Sequence, residues 1–452
     1  MKENFSKRVQ LIIKNAKEEA IRLGHSYVGS EHLLLGIIKE SSGLSIKIFE
    51  IYDCNILDLK SMIEDMIKSS GGTLTLGHLP FTRRSERILR NSYNEATALG
   101  SSLADDEHLL LSMLKETDGI AYEVLNSYSI DYDSVLSLME NEEIEDNKGN
   151  WIPNKKISYA PLFNWPVKPM SILKWVFGFP GFFLPWNIFY IILTILVWFY
   201  LTPSLETMLK LELEWIIIIY LRNFFLTLFI YGTWHLWFYI WRKQEKKFKY
   251  NKNWQSKNSK NFLFKNQTYD NVFWSLASGV TIWTIYEVLF LWLYSNGNIK
   301  ILNFFENPYI FILVFLLIPL IHELGFYFTH RILHYKFLYK IAHKIHHKNI
   351  NPGPWSGLSM HPIEHIMYFG IVLILLLFPT HPLHTLNLLI RLGISPAEGH
   401  SGFDRVVINK KKSFNASFYA HYLHHKYFEV NYADGIFPLD KLFGSFHDGT
   451  ND

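Results

Sequence analysis

PYIFILVFLLIPLIHELGFYFTHRILHYKFLYKIAHKIHH, residues 308–347, passes directly from an apolar run into a cluster of histidines. The apolar part, about 308–328, is long enough to cross a hydrocarbon core, which takes about 20 helical residues. Beyond it His330 and His334 are four apart, and His343, His346 and His347 stand at i, i+3 and i+4. Both spacings place their members on one helical face. His421, His424 and His425 repeat the triplet. Residues 1–321 hold five histidines and residues 322–447 hold fifteen. A single histidine is usually a polar side chain satisfied in place. Two His-x-x-His-His triplets and a His-x-x-x-His, all following apolar spans, predict convergent faces that cage two metal ions. Imidazole suits iron, zinc, copper and nickel alike. Cys54 is the one cysteine, which excludes a disulfide framework and a thiolate zinc site.

Outward from this stretch, three more apolar segments predict spans at 182–201, about 215–241 and 272–294. Trp and Tyr at several ends suit an interfacial belt. The connection 242–271 carries nine Lys and Arg, whereas 202–213 and 295–307 carry Lys210 and Lys300 alone. Positive loops stay inside, so 242–271 is expected on the cytoplasmic side, and so are the residues after 330. The run 366–380 with 383–392 predicts a shallow or re-entrant helical hairpin. Arg222 and Glu287 are costly in lipid and are expected to pair inside the bundle. A histidine cage at the membrane surface points to a lipid chain as substrate. Attack on an unreactive carbon needs a redox metal, which favours iron over zinc.

The first 150 residues are a different polymer. They carry 16 Lys and Arg against 25 Asp and Glu, whereas the rest carries 28 against 16, and all fourteen Trp lie at Trp151 or beyond. The start, Met1 to Arg8, has no apolar core, so this segment is expected in the cytosol. Residues 5–67 and 81–140 repeat with a register of 76, pairing Phe5 with Phe81, Leu23-Gly24 with Leu99-Gly100, and Glu31-His32 with Glu107-His108. Val9, Ile12, Ile13, Ala16 and Ala20 recur at helical spacing, and each Leu-Gly reads as a helix C-cap. His32 and His108 are expected to hydrogen-bond at helix starts. An acidic run, 140–146, and Pro153, Pro161, Pro166 and Pro169 then read as a linker. The expected fold is all-α: a soluble double-repeat helical domain over 1–145, a linker at 146–175, and from 176 to 452 a four-span helical membrane domain with a cytosolic histidine-rich cap.

The amino-terminal order Phe-Ser-Lys-Arg … Ala-x-Arg-Leu-Gly-His-Ser-Tyr-Val-Gly-Ser-Glu-His-Leu-Leu-Leu-Gly-Ile resembles the double-repeat N-domain of Clp-type chaperones. That resemblance implies docking of a protein partner and no chemistry of its own; no Gly-x-x-x-x-Gly-Lys-Ser/Thr loop accompanies it. The carboxy-terminal order His-Glu-x-x-x-Tyr-x-x-His-Arg-x-x-His … His-x-x-His-His … His-Pro-x-Glu … His-x-Gly … His-x-x-His-His … Asn-Tyr … Asp-x-x-Phe-Gly resembles the fatty acid hydroxylase / sterol desaturase superfamily over about 180–447. It implies an integral-membrane oxidoreductase with two iron ions, O2 as co-substrate and electrons from outside, acting on a lipid by hydroxylation or desaturation. Carried over by motif, the ligands would be His330, His334, His343, His346, His347, His421, His424 and His425. His361 and His400 would join them, with His322 less secure. Pro396 stands where some members have another histidine. Glu364 would orient a ligand imidazole, and Asn431, Tyr432, Asp434 and Asp440 match further family positions.

No Gly-x-Gly-x-x-Gly or His-Pro-Gly-Gly signature occurs, so the electron donor is expected to be a separate protein. Two other readings compete. His361-Pro362-Ile363-Glu364-His365 satisfies the His-x-x-Glu-His pattern of a zinc protease, though it leaves both triplets unexplained. A non-catalytic membrane receptor built on the docking domain would retain the cage unused. The basic loop fits anionic lipid and calls for no nucleic-acid partner.

Overall fold

The computed structural model describes residues 4–67, 79–99, 101–140, 144–145, 149–153, 157, 159–409, 412–433 and 435–449. Asp434, Gly100 and parts of the expected linker lie outside the described residues. The chain divides into two compact units, 1–142 with 408–412, and 143–407 with 413–452. Helices dominate, and the sheet among the described residues is limited to short two-stranded ribbons.

The first unit is built twice. Helices Lys7–Arg22, Ser30–Glu40, Leu44–Ile51 and Ile56–Met66 are followed by Arg83–Ala98, Asp106–Leu114, Ile120–Ser127 and Tyr132–Glu140, each start displaced by the repeat register. Equivalent side chains cap equivalent helices. Ser6 Oγ accepts from Val9 N at 3.1 Å and Thr82 Oγ1 from Ser85 N at 3.2 Å. His32 Nδ1 accepts from Gly29 N at 2.9 Å, and His108 Nδ1 from Asp105 N at 3.1 Å, the helix-start role expected of both. Leu23 is a C-cap, with Gly24 at φ +74° letting the chain turn back. The repeats exchange short parallel bridges, Phe5 with Ala104 and Phe81 with Val28, which is the signature of a pseudo-twofold pair. Val9, Ile12, Ala16 and Ala20 are buried in the shared core.

The pseudo-symmetry has one tight point. Ser112 Oγ donates to Ile88 O at 2.8 Å. At the matching site in the first repeat, a Cβ on Gly36 would stand 2.5 Å from Ile12 O. Gly36→Ala is therefore expected to push two helices apart and destabilise this unit by about 1–3 kcal/mol, read as a lowered first transition in thermal unfolding of the full chain. An unchanged transition would show that these helices have slack.

In the second unit four helices are long and apolar enough to cross a membrane: Phe183–Leu201, Leu213–Ile240, Gln267–Ser295 and Pro308–Leu333. Between a fifth and a half of each apolar window is buried within the protein, and large side chains such as Phe199, Phe225 and Phe229 face outward. Such an outer face suits lipid and not water. Arg222 and Glu287 pair directly between the second and third spans. Asn223 Nδ2 donates to the second Glu287 oxygen at 3.0 Å and Arg222 Nη1 to Thr202 Oγ1 at 3.1 Å.

The hairpin after the four helices runs the depth of their bundle. Pro362–Phe369 is α-helical, Gly370–Leu377 is wound as a 3₁₀ helix, and Pro382–Ile394 returns. A 3₁₀ turn rises about 2.0 Å per residue against 1.5 Å for an α-helix. That extra reach carries the tip to the loop joining the third and fourth spans, where Leu302 N donates to Thr380 O at 3.0 Å. All thirteen residues of the returning helix are buried, so the hairpin forms the inside of the bundle.

Candidate metal centre

The histidines gather where the fourth span and the hairpin emerge on one side. His330 closes the fourth span and His334 caps it. His343 ends a π-helical turn over Tyr339–His343, followed by Lys344–His347. His400 follows the turn Pro396–Gly399, and His421, His424 and His425 ride on Tyr419–Tyr427. Two groups result: His330, His334, His343, His347 and His424, then His346, His400, His421 and His425. Within each group one ring nitrogen per residue lies within 4.8 Å of all the others. The groups adjoin, with His347 and His425 ring centres 5.2 Å apart and those of His343 and His346 5.4 Å apart.

Each triplet is shared between the groups. The i, i+4 pair His343 and His347 goes to one and His346 to the other; the pair His421 and His425 goes to the second and His424 to the first. Residues three and four apart lie on one broad face but not on one line, so a triplet reaches two points side by side.

Hydrogen bonds decide the tautomers. His330 Nδ1 faces Tyr432 O at 3.1 Å, His400 Nδ1 faces Pro396 O at 3.1 Å, and His424 Nδ1 faces Val430 O at 2.6 Å. A carbonyl only accepts, so the proton sits on Nδ1 and Nε2 carries a lone pair. His343 Nδ1 lies 2.7 Å from Glu364 Oε1. The Nε2 atoms then face one another: His334 is 3.0 Å from His343 and 3.1 Å from His347, and His424 is 3.0 Å from His347. In the second group His400 Nε2 is 2.8 Å from His421, 3.1 Å from His425 and 3.3 Å from His346. Nitrogens converging this closely surround points that a cation can occupy. With metal–nitrogen bonds of about 2.1 Å, ligands at right angles stand about 3.0 Å apart, so these spacings fit the edges of a coordination shell. Burial pushes His343, His346, His347, His400, His424 and His425 well below the usual imidazole range, which keeps them in the neutral, ligating form.

His361 is not brought to either group. Pro362 opens the next helix, which leaves His361 as its N-cap, and its Nδ1 turns back to accept from Ile363 N at 3.2 Å. His365 engages both ring nitrogens, with Ser278 Oγ at 2.9 Å and Leu358 O at 3.1 Å. The His-x-x-Glu-His pattern therefore assembles no metal site here. His322 lies in the fourth span beside a cavity and outside both groups. Asp440 works through the backbone: its two carboxylate oxygens each accept at 2.9 Å, from Tyr432 N and from Ala433 N. That clamp holds the segment whose Tyr432 and Val430 carbonyls orient His330 and His424. Asn431 ties the same segment to His447 through two bonds of 2.8 Å. The three orienting carbonyls, including that of Pro396, have no side-chain signature and escape a reading of the sequence.

A cavity of about 390 Å³ opens against this centre, within the range of ligand pockets. His330, His343, His346, His400 and His421 form part of its wall, and Trp175, Phe182, Tyr190, Phe326, Met360 and Tyr368 form much of the rest.

Residues 315–445 match the fatty acid hydroxylase family, and residues 4–104 and 80–161 match the Clp repeat N-terminal domain. Among curated proteins, chloroplastic chaperone protein ClpC1 of Arabidopsis thaliana is 35% identical over 162 residues, 35% of this chain and 17% of its own length. Its namesake from Oryza sativa subsp. japonica is 38% identical over 135 residues, 30% of this chain and 15% of its own length. The chain thus spans less than a fifth of these relatives. The N-terminal domain of ClpD from Arabidopsis thaliana aligns at 20% identity and a TM-score of 0.25, covering 29% of this chain and 90% of that structure. The histidine-bearing region is accordingly a fatty acid hydroxylase family domain, and a Clp repeat N-terminal domain precedes it in the same chain.

Proposed function

We propose that this protein is a membrane di-iron oxygenase that hydroxylates a lipid, with desaturation as the alternative outcome of the same site, and that its first domain docks another protein. The observation that carries the reading is the set of imidazole Nε2 atoms turned toward one another in two adjoining groups. His330, His334, His343, His347 and His424 would hold one ion, and His346, His400, His421 and His425 the other. Bound there, iron supplies activation of O2 and removal of hydrogen from a C–H bond, a redox task that zinc does not perform.

The chain's own residues do the rest. Glu364 and the carbonyls of Tyr432, Pro396 and Val430 hold protons at Nδ1, which fixes ring orientation and raises the basicity of Nε2. The aromatic wall of the cavity excludes water and lays an acyl or sterol skeleton beside the histidines. Electrons come from a separate protein. In this reading 1–145 is the docking domain, 146–175 the linker and 176–452 the enzyme. The first domain and the histidine end share the cytoplasmic side, following the basic 242–271 loop, and no nucleic acid is involved.

Metal analysis of detergent-purified, untagged protein from iron-replete cells tests this. Two irons per chain are expected. Folded protein that binds no metal would overturn the reading in favour of a receptor.

A further inference from the structure

Residues 161–182, just ahead of the first span, form a wall with unlike faces. The helix Pro169–Phe177 has no buried residue. Trp165 is 90% exposed, Phe177 67%, Met170 65% and Phe179 62%. Lys168 and Lys174 are the basic residues among these apolar ones. Such a composition suits a helix lying in the plane of a membrane interface. The opposite side of the same segment is the cavity: Trp175, Pro180, Gly181 and Phe182 line it together with His330 and His400.

The local chain makes this two-sidedness possible. After Phe177 it doubles back, with Gly178 N donating to Lys174 O at 2.8 Å and Phe182 N to Trp175 O at 2.6 Å. A Cβ on Gly181 would stand 2.5 Å from Trp175 O and 2.6 Å from Gly178 O, so only glycine permits the closeness. Trp175 and Phe182 then meet at 5.1 Å between ring centres, inside, while Phe177 and Phe179 remain outside. The first span begins at Phe183, so the outer face of the wall continues the lipid-facing surface of the bundle.

We infer that residues 165–182 are embedded in the leaflet on the histidine side, and that lipid passes laterally from that leaflet past Trp175 and Phe182 into the cavity. One thickness of chain separates an apolar exterior from the histidines. A lipid taking this route keeps its tail in apolar surroundings throughout, which avoids exposing its methylenes to water. The inference rests on the cavity being the lipid site, but it requires neither metal nor turnover.

The experiment uses the full chain in phosphatidylcholine vesicles containing a phosphatidylcholine whose acyl chain bears a diazirine. Illumination is expected to label Phe177 and Phe179 on the outer face and Met360 inside the cavity. In M170S/L173S/F177S, labelling of Met360 is expected to fall about tenfold, while labelling of the second span's Phe229 is unchanged. A nitroxide on F177C, measured separately by power saturation, is expected to be accessible to oxygen and shielded from a water-soluble nickel chelate. A water-exposed nitroxide would overturn the membrane placement. Met360 labelling that persists in the triple variant would overturn the portal. Because iron is not needed for labelling, a metal-free protein that still labels as expected would sink the oxygenase reading and leave this inference standing.

Discussion

His343→Ala is expected to abolish lipid product and remove at least one of two bound ions, whereas His361→Ala leaves metal content unchanged. His343 donates through Nδ1 to Glu364 and aims Nε2 at His334, so its loss opens the first group and unpairs a buried carboxyl. His361 caps a helix, and loss of a cap costs about 1 kcal/mol of local stability. Product formation by that variant should therefore stay within a few fold of the parent. Glu364→Gln, which keeps an acceptor oxygen without the charge, is expected to fall between the two, weakening metal retention by about 10–100-fold. Metal content and product measured on the same preparations check all three. Equal metal loss in H343A and H361A would show that the partition of ligands into two groups is wrong.

Arg222→Ala is expected to be the most damaging change away from the histidines. It leaves the Glu287 carboxylate among the second and third spans with its opposite charge gone, and breaking a buried pair costs about 3–5 kcal/mol. Asn223 Nδ2 still donates to Glu287, but a neutral hydrogen bond does not replace an ion pair. The double variant Arg222→Met with Glu287→Leu removes both charges and is expected to recover most of the loss, because the pair holds the spans together no better than well-packed apolar groups would. Thermal unfolding in detergent, followed by tryptophan fluorescence, reads both. An unshifted midpoint for R222A would mean that Glu287 finds another partner or takes up a proton.

Much of the architecture is legible along the chain because its causes are local. A span needs an uninterrupted apolar run, and four such runs stand at 182–201, 215–241, 272–294 and 308–328 in the sequence, within a few residues of the helices observed. The internal register of 76 carries over to eight helix starts because capping residues such as Ser6 and Thr82 act within one turn of themselves. The hairpin is less legible. Its run of 15 residues is short for an α-helical crossing, and nothing in its composition marks Gly370–Leu377 as the 3₁₀ helix it forms.

By itself, then, the sequence determined the helical class, the four spans, the doubled first unit and the stock of histidines, since periodicity, length and caps act over a few residues. Tertiary structure alone decided how that stock is divided. Spacing places His343, His346 and His347 on one face without saying which points where; His400 and the second triplet, more than fifty residues away, complete the two groups. It also separated His361 from the rest, because Pro362 starts a helix that turns its imidazole aside. The proton positions of His330, His424 and His400 rest on carbonyls of Tyr432, Val430 and Pro396. Every residue has a carbonyl, so only folding can say which ones matter.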